Sequence, residues 1–401
     1  MGAMRALTVP ALIGATTLLA GCGGSHAGAT ATRTATTAAT APCASRAAAV
    51  PALTHVRTAM APLPAAPYAI VSRRRYSFVS APGQVDVLRN SGFAPRVVRR
   101  VGLPAAAGNG QPGLALTHDG RYLLVAAGSG AVVIDVHRAE NGSRRAVLGR
   151  LTSATQGNPA LAGSVAVAIS PDDRYAYVAR SRASGIAVFD LAAALADRLR
   201  RSGYLGRVPL LYGPSDVAAD PGGRWLYATS LASATGAGSG TLSLIDATRA
   251  RTDPSTALVH SVAAGCEPVR VALSAGGRLV WVTALADHAV LGFSRSLLLH
   301  HPRRARIAHV LVGSAPVGVL PVDSGRRLLV ADSGPSAVAA PGPGVTVVNV
   351  SAALAGRQAA LGAVAAGIYP RELTVPPGRR TAYVTNSGSA QVEAVNLNDL
   401  P

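Results

Sequence analysis

Val271-Ala272-Leu273-Ser274-Ala275-Gly276-Gly277-Arg278-Leu279-Val280-Trp281-Val282-Thr283 reads as a strand, a tight turn and a second strand. The flanks are aliphatic and β-branched. The middle holds residues that tolerate positive φ or bond their own backbone. The same grammar stands at His118-Asp119-Gly120-Arg121, Pro171-Asp172-Asp173-Arg174 and Pro221-Gly222-Gly223-Arg224. Aligned on the arginine that closes the turn, seven segments superpose, with anchors Arg75, Arg121, Arg174, Arg224, Arg278, Arg326 and Arg380. The intervals are 46, 53, 50, 54, 48 and 54 residues, which is a repeat with loops of varying length.

A third strand follows each hairpin, as in Val132-Val133-Ile134-Asp135, Ile186-Ala187-Val188-Phe189-Asp190 and Val345-Thr346-Val347-Val348-Asn349. A fourth closes the unit, for example Ile307-Ala308-His309-Val310-Leu311-Val312. Four antiparallel strands per unit make a propeller blade, and seven such units imply a closed ring. The expected fold is therefore all-β, a seven-bladed β-propeller. Inner strands without polar alternation fit sheets packed on both faces, and small residues such as Ala115, Ala166, Ala218 and Ala272 let neighbouring blades approach. The last unit ends at Pro401 one strand short. Residues 52–60 are expected to supply that outer strand and so join the two chain ends, leaving no open edge.

Residues 1–21 have the form of a secretory signal: Arg5, an uncharged apolar run from Ala6 to Leu19, then Leu19-Ala20-Gly21-Cys22. The apolar run is shorter than the roughly 20 residues that a permanent transmembrane helix needs. The tetrapeptide matches a bacterial lipobox, in which the thiol of Cys22 receives a diacylglyceryl group and becomes the first mature residue. Residues 22–50, rich in Ala and Thr, lack the apolar side chains for a core and are expected to act as a tether. Residues 51–401 form the propeller.

The formal net charge is +19, and all 38 basic residues are arginine. They are scattered along the chain as pairs such as Arg99-Arg100, Arg200-Arg201 and Arg303-Arg304, not gathered on one stripe, which argues against nucleic-acid binding. Attraction to acidic wall polymers or anionic lipid heads fits the charge better.

The tetrapeptide Tyr383-Val384-Thr385-Asn386, with weaker copies at Trp281-Val282-Thr283-Ala284, Tyr227-Ala228-Thr229-Ser230, Tyr177-Val178-Ala179-Arg180 and Phe78-Val79-Ser80-Ala81, resembles the signature of the YVTN family of β-propellers. The proline ahead of the first strand in that family is matched by Pro214, Pro268, Pro316 and Pro370. The resemblance spans residues 67–397 and implies the propeller fold. It says little of function, because such propellers include surface-layer proteins, periplasmic binding proteins and relatives of sugar-lactone hydrolases and quinoprotein subunits.

No haem, zinc, calcium, nucleophile-elbow or Walker motif is present. No cofactor or metal is expected. Propeller enzymes nevertheless assemble sites from residues that converge only at the ring centre. Two residues after the prolines stand Asp216, Arg270, Gly318 and Glu372, directly ahead of Val217, Val271, Val319 and Leu373. By strand alternation the valines face the packed side and their predecessors face the channel. Glu267 and Arg371 are expected at the mouth. Such a ring suits a small polar or charged ligand; the plainer expectation is that the five form salt bridges lining a water-filled channel.

His300-His301 and His309 lack accompanying carboxylates and read as solvated surface. Asp135, Asp190 and Asp246 recur because the architecture does, as turn caps. Once Cys22 is acylated, Cys43 and Cys266 remain, and in an oxidising compartment they are expected to pair. The Gly-, Ser- and Pro-containing insertions at 231–240 and 332–344 are expected on one face, as spacer or recognition loops. Residues 191–201 suggest a short helix with Leu195 and Leu199 packed on the blade edge. The function expected is that of a monomeric, lipid-anchored, non-catalytic binding or scaffold protein outside the cytoplasm, presenting loops or the channel mouth to an envelope protein, glycan or small solute. The rival is a propeller enzyme, a lactone hydrolase or quinoprotein-related oxidoreductase, using Asp216, Glu267, Arg270 and Glu372.

Overall fold

The computed structural model describes residue 43 and residues 46–104, 112–153, 163–231, 239–334 and 342–401. Residues 1–21, read as a signal peptide, Cys22, nearly all of the expected tether and most of the insertions at 231–240 and 332–344 lie outside the described residues. The chain forms seven four-stranded antiparallel sheets. Blade one spans 70–102, blade two 114–152, blade three 164–209, blade four 214–266, blade five 268–311 and blade six 316–365. Blade seven takes three strands from 370–396 and its outer strand, Thr58–Pro62, from the start of the described chain.

That closing strand runs antiparallel to Gln391–Asn396, with Met60 opposite Glu393. It begins later than the expected 52–60. The earlier residues serve blade six: Ala52 forms a parallel bridge with Ala363, the Leu53 N–H donates to the Ala363 carbonyl at 2.8 Å, and the Ala363 N–H donates to that of Pro51 at 2.8 Å. Further back, the Ala48 N–H donates to Val312 O at 2.9 Å at the end of blade five, and Cys43 is disulfide-bonded to Cys266, with Cα atoms 5.7 Å apart. The segment is thus a strap that is fixed to the last residue of blade four and runs along blades five, six and seven. An exposed outer edge recruits whatever backbone passes it, so one extended segment serves two blades in turn.

The core is divided. Seven apolar clusters fill the seven joints between adjacent blades, for example Val217, Leu226 and Ile245 of blade four against Tyr177, Ile186 and Val188 of blade three. Repetition of one joint replaces a single centre. The joint between blades seven and one is the smallest, with seven buried residues including Leu63, Ile70 and Tyr383, against fifteen between blades three and four.

Short helices follow the third strand in five blades: Val136–Glu140, Leu191–Ala196, Ala247–Thr252, Arg295–His300 and Val350–Leu354. The recurring residues ahead of them are N-caps. Asp135, Asp190 and Asp246 accept the N–H of Arg138, Ala193 and Arg249 at 2.8 to 2.9 Å, and Ser294 and Asn349 do likewise. The helix expected over 191–201 ends at Ala196, because Arg198 and Leu199 turn left-handed; Leu195 and Leu199 still pack against the joint between blades two and three.

The hydroxyl at the third place of the tetrapeptide has a structural job. Thr283 Oγ accepts the Arg270 N–H at 3.0 Å and donates to Val317 O of the next blade at 2.9 Å. Thr385 does the same for Glu372 and Tyr68, and Ser80 for Ala69 and Pro112. One hydroxyl thereby satisfies a backbone donor freed by the register shift at the start of the inner strand and ties that strand to its neighbour.

Candidate functional site at the channel mouth

The site is built on the first turn of each inner strand. In blades four to seven that strand begins at a proline and its register skips before it joins the second strand: between Pro214 and Asp216, Pro268 and Val271, Pro316 and Gly318, and Pro370 and Leu373. Superposition of the seven blades by strand register puts Ala69, Gly113, Ala166, Asp216, Arg270, Gly318 and Glu372 at one level around the axis. A cavity of about 250 Å³ lies there. Its wall includes both Asp216 and Val217, both Arg270 and Val271, and both Glu372 and Leu373. Strict alternation therefore does not sort channel from packing residues. The valines and Leu373 also belong to the clusters between blades.

Arg270 Nε donates to Glu372 Oε2 at 2.8 Å across 102 residues of sequence, and the arginine side chain is 7% exposed against 23% for the glutamate. Blade six stands between them and contributes Gly318, whose missing side chain leaves the path open. A Cβ there would meet Arg371 O at 2.2 Å, so the same glycine also permits blades six and seven to close. Asp216 Oδ2 accepts the Val271 N–H at 3.0 Å. Burial pushes the Asp216 carboxyl up to about 6; Arg270 and the Val271 N–H oppose that push and Glu372 adds to it. Burial alone would lower the Arg270 pKa, but Glu372 first, then Tyr68 and Asp216, outweigh it and hold the guanidinium well above its ordinary value. Arg270 is a permanent cation in this channel.

Sequence reasoning missed Tyr68. Its ring lies under two guanidiniums, with centroid distances of 5.5 Å to Arg270 and 4.6 Å to Arg371. By register Tyr68 occupies the blade-one place that Arg371 fills in blade seven. It stands seven residues before Arg75, whereas Arg371 stands nine before Arg380, so counting back from the anchors passes it by. Glu267 and Arg371 do not line the cavity. Arg371 packs on Tyr68 outside it, and Glu267 is the partly exposed residue ahead of Pro268.

Glu267 has a second peculiarity. It, Ala315 and Tyr369 each precede a strand-opening proline with φ of 51°, 51° and 53°. Proline normally holds its predecessor extended, so these are strained positions. Each is kept in place by a carboxyl group. Asp287 accepts the Cys266 N–H at 2.8 Å, Asp332 accepts that of Gly313, and Glu393 accepts that of Gly367 at 3.3 Å. Burial raises Asp332 to about 8 and Glu393 to about 7. Among the described residues the left-handed residue ahead of a proline occurs in blades five, six and seven alone. Those blades frame the Arg270–Glu372 pair.

Among the described residues no three His, Cys, Asp or Glu side chains gather as a metal site would, and no helix is long and apolar enough to cross a membrane. His300 and His301 sit at the end of the helix Arg295–His300.

No protein-family model matches the chain, and no curated protein sequence matches it. Solved structures do. A chain of Kuenenia stuttgartiensis hydrazine synthase is 18% identical and superposes with a TM-score of 0.64 over 83% of this chain and 96% of its own. The Cps50 (Swd1) β-propeller domain of Myceliophteria thermophila is 12% identical, TM-score 0.60, over 84% and 99%. A chain of the mitotic checkpoint complex is 12% identical, TM-score 0.64, over 95% and 98%. At these identities the likeness is one of fold. The chain is a seven-bladed β-propeller, a class whose members share architecture and differ in what they hold.

Proposed function

We propose that this protein is an exported, non-catalytic binding propeller of the YVTN-repeat kind, anchored through acylated Cys22 to the outer side of the cell membrane. The anchor rests on the Leu19-Ala20-Gly21-Cys22 sequence and the apolar run before it. The Cys43–Cys266 disulfide supports export, because such bonds persist in oxidising compartments.

The observation that carries the non-catalytic reading is the engagement of the channel carboxylates. Glu372 is held by Arg270 at 2.8 Å and Asp216 by the Val271 N–H at 3.0 Å, and no hydrogen bond joins one to the other. Acid–base catalysis asks for groups poised to exchange a proton with a substrate. Glu372 is held in an ion pair with Arg270, and the two carboxylates are not arranged as an acid–base couple. The rival enzyme reading would place acid and base at Asp216 and Glu372.

The test has two arms. Cys22→Ser is expected to move the protein from the membrane fraction to the soluble extracytoplasmic fraction and to abolish incorporation of labelled fatty acid; unchanged membrane retention would remove the anchor. Purified protein challenged with sugar lactones and with quinone-linked electron acceptors is expected to give no turnover. Turnover lost in Glu372→Gln would make the rival correct.

A further inference from the structure

We infer that the cavity at the channel mouth is a binding site for a small zwitterion of the α-amino acid type with a short aliphatic side chain. The inference rests on the binding reading given above and names its ligand.

The two halves of the wall differ. Blades one to three contribute Ala69, Gly113 and Ala166 at this level of the wall, none of them charged. Blades four, five and seven contribute Asp216, Arg270 and Glu372 at the same level. A ring that needed only a structural plug would fill the bare half with side chains, as interiors pack to the density of organic crystals. Here space remains directly opposite the charges.

The charges are incompletely used. Of the five N–H groups of Arg270, Nε–H goes to Glu372, and the guanidinium also interacts with the Tyr68 ring 5.5 Å away and with Asp216; among the described residues that Nε–H bond is its one side-chain hydrogen bond to a carboxylate. Asp216 lines the cavity and is partly open to it, with Oδ2 on the Val271 N–H. A ligand entering must therefore present an acceptor to a buried cation and donors to carboxylates a few ångströms away.

Charge balance selects the class. A simple anion would meet two carboxylates, a simple cation would be set against a buried guanidinium, and an apolar solute would strip water from charged groups without replacing its hydrogen bonds. A molecule carrying both signs satisfies each group. The volume restricts size: about 250 Å³ lies below the usual range of pockets for drug-sized ligands and corresponds to roughly eight waters. Ile70, Leu114 and Val167, beside the bare half, form an aliphatic part of the wall that takes the side chain.

The experiment is calorimetric titration of the purified full chain with L-valine, isovalerate, isobutylamine and glucose, repeated on Asp216→Asn. L-Valine is expected to bind with a dissociation constant of about a millimolar or tighter. Isovalerate, which lacks the ammonium, and isobutylamine, which lacks the carboxylate, are expected to bind at least about tenfold more weakly. Asp216→Asn keeps the volume and is expected to lose about tenfold for valine while melting as a folded protein. Absence of valine binding, equal binding of glucose, or an unchanged affinity in Asp216→Asn would each overturn the inference. These outcomes are separable from the reading beneath it. Chemical conversion of bound valine would refute the non-catalytic function and leave the site, whereas silence of the whole panel beside absent lactone turnover would refute the site and leave the function.

Discussion

Blades one to three and blades five to seven share a strand plan and differ in what they place at one level of the channel. The first group offers Ala69, Gly113 and Ala166; the second offers Arg270, Gly318 and Glu372. The second group also carries the left-handed residues before its prolines, the carboxyl clamps of Asp287, Asp332 and Glu393, and the strap, whose Cys43 is bonded to Cys266 at the end of blade four. The difference teaches that a repeat fold separates two tasks. Positions that recur in every blade build the joints, and one position free to vary at the axis builds the individuality of the ring.

The comparison is broken most severely by Glu372→Ala, which leaves Arg270 buried and unpaired. A loss of about 3–5 kcal/mol is expected, seen as a lowered denaturant midpoint. Ala166→Ser, a polar change at the same level in the bare half, is expected to shift the midpoint far less. Equal losses would mean that the two halves are energetically alike.

Cutting the strap comes next. Cys43→Ser opens a covalent loop with a sequence separation of 223 residues and is expected to cost about 2–4 kcal/mol. Reductant should lower the midpoint of the native protein to that of the variant and leave the variant unmoved. Thr283→Val removes the hydroxyl that links the Arg270 N–H to Val317 O, with an expected loss of about 1–3 kcal/mol.

The last effect is a slope with pH. The Asp216 carboxyl rises from 3.8 to about 6 on folding, so the folded state binds its proton more tightly. Its contribution is full below about pH 4 and is lost as pH rises through 6. Asp216→Asn is expected to flatten that part of the stability curve, measured as melting temperature against pH, with the variant gaining on the native protein across the window.

Much of this was legible beforehand. Anchoring arginines gave the blade number, since each closes a hairpin whose turn chemistry is local. Asp135, Asp190 and Asp246 were legible as caps for the same reason, although the helices they start were seen at residues 191–201 alone. Asp216, Arg270 and Glu372 were found from their spacing after proline, and the cavity gathers those three. Glu267 and Arg371 lie outside its wall because the register shift turns the strand after them. Tyr68 stayed hidden behind a first turn two residues shorter than that of blade seven.

By itself the sequence determined the strands, their hairpins and their number, because φ preferences, aliphatic runs and turn residues act over a few positions. The closed ring decided the rest. Arg270 meets Glu372 across 102 residues because the ring brings the inner strands of blades five and seven to one axis, and Thr385 donates to Tyr68 O across 317 because closure places the last blade beside the first. The path of residues 48–53 along blades five and six was likewise decided by which outer edges stood open once the ring had formed. Contacts of that range depend on closure geometry, which no local pattern encodes.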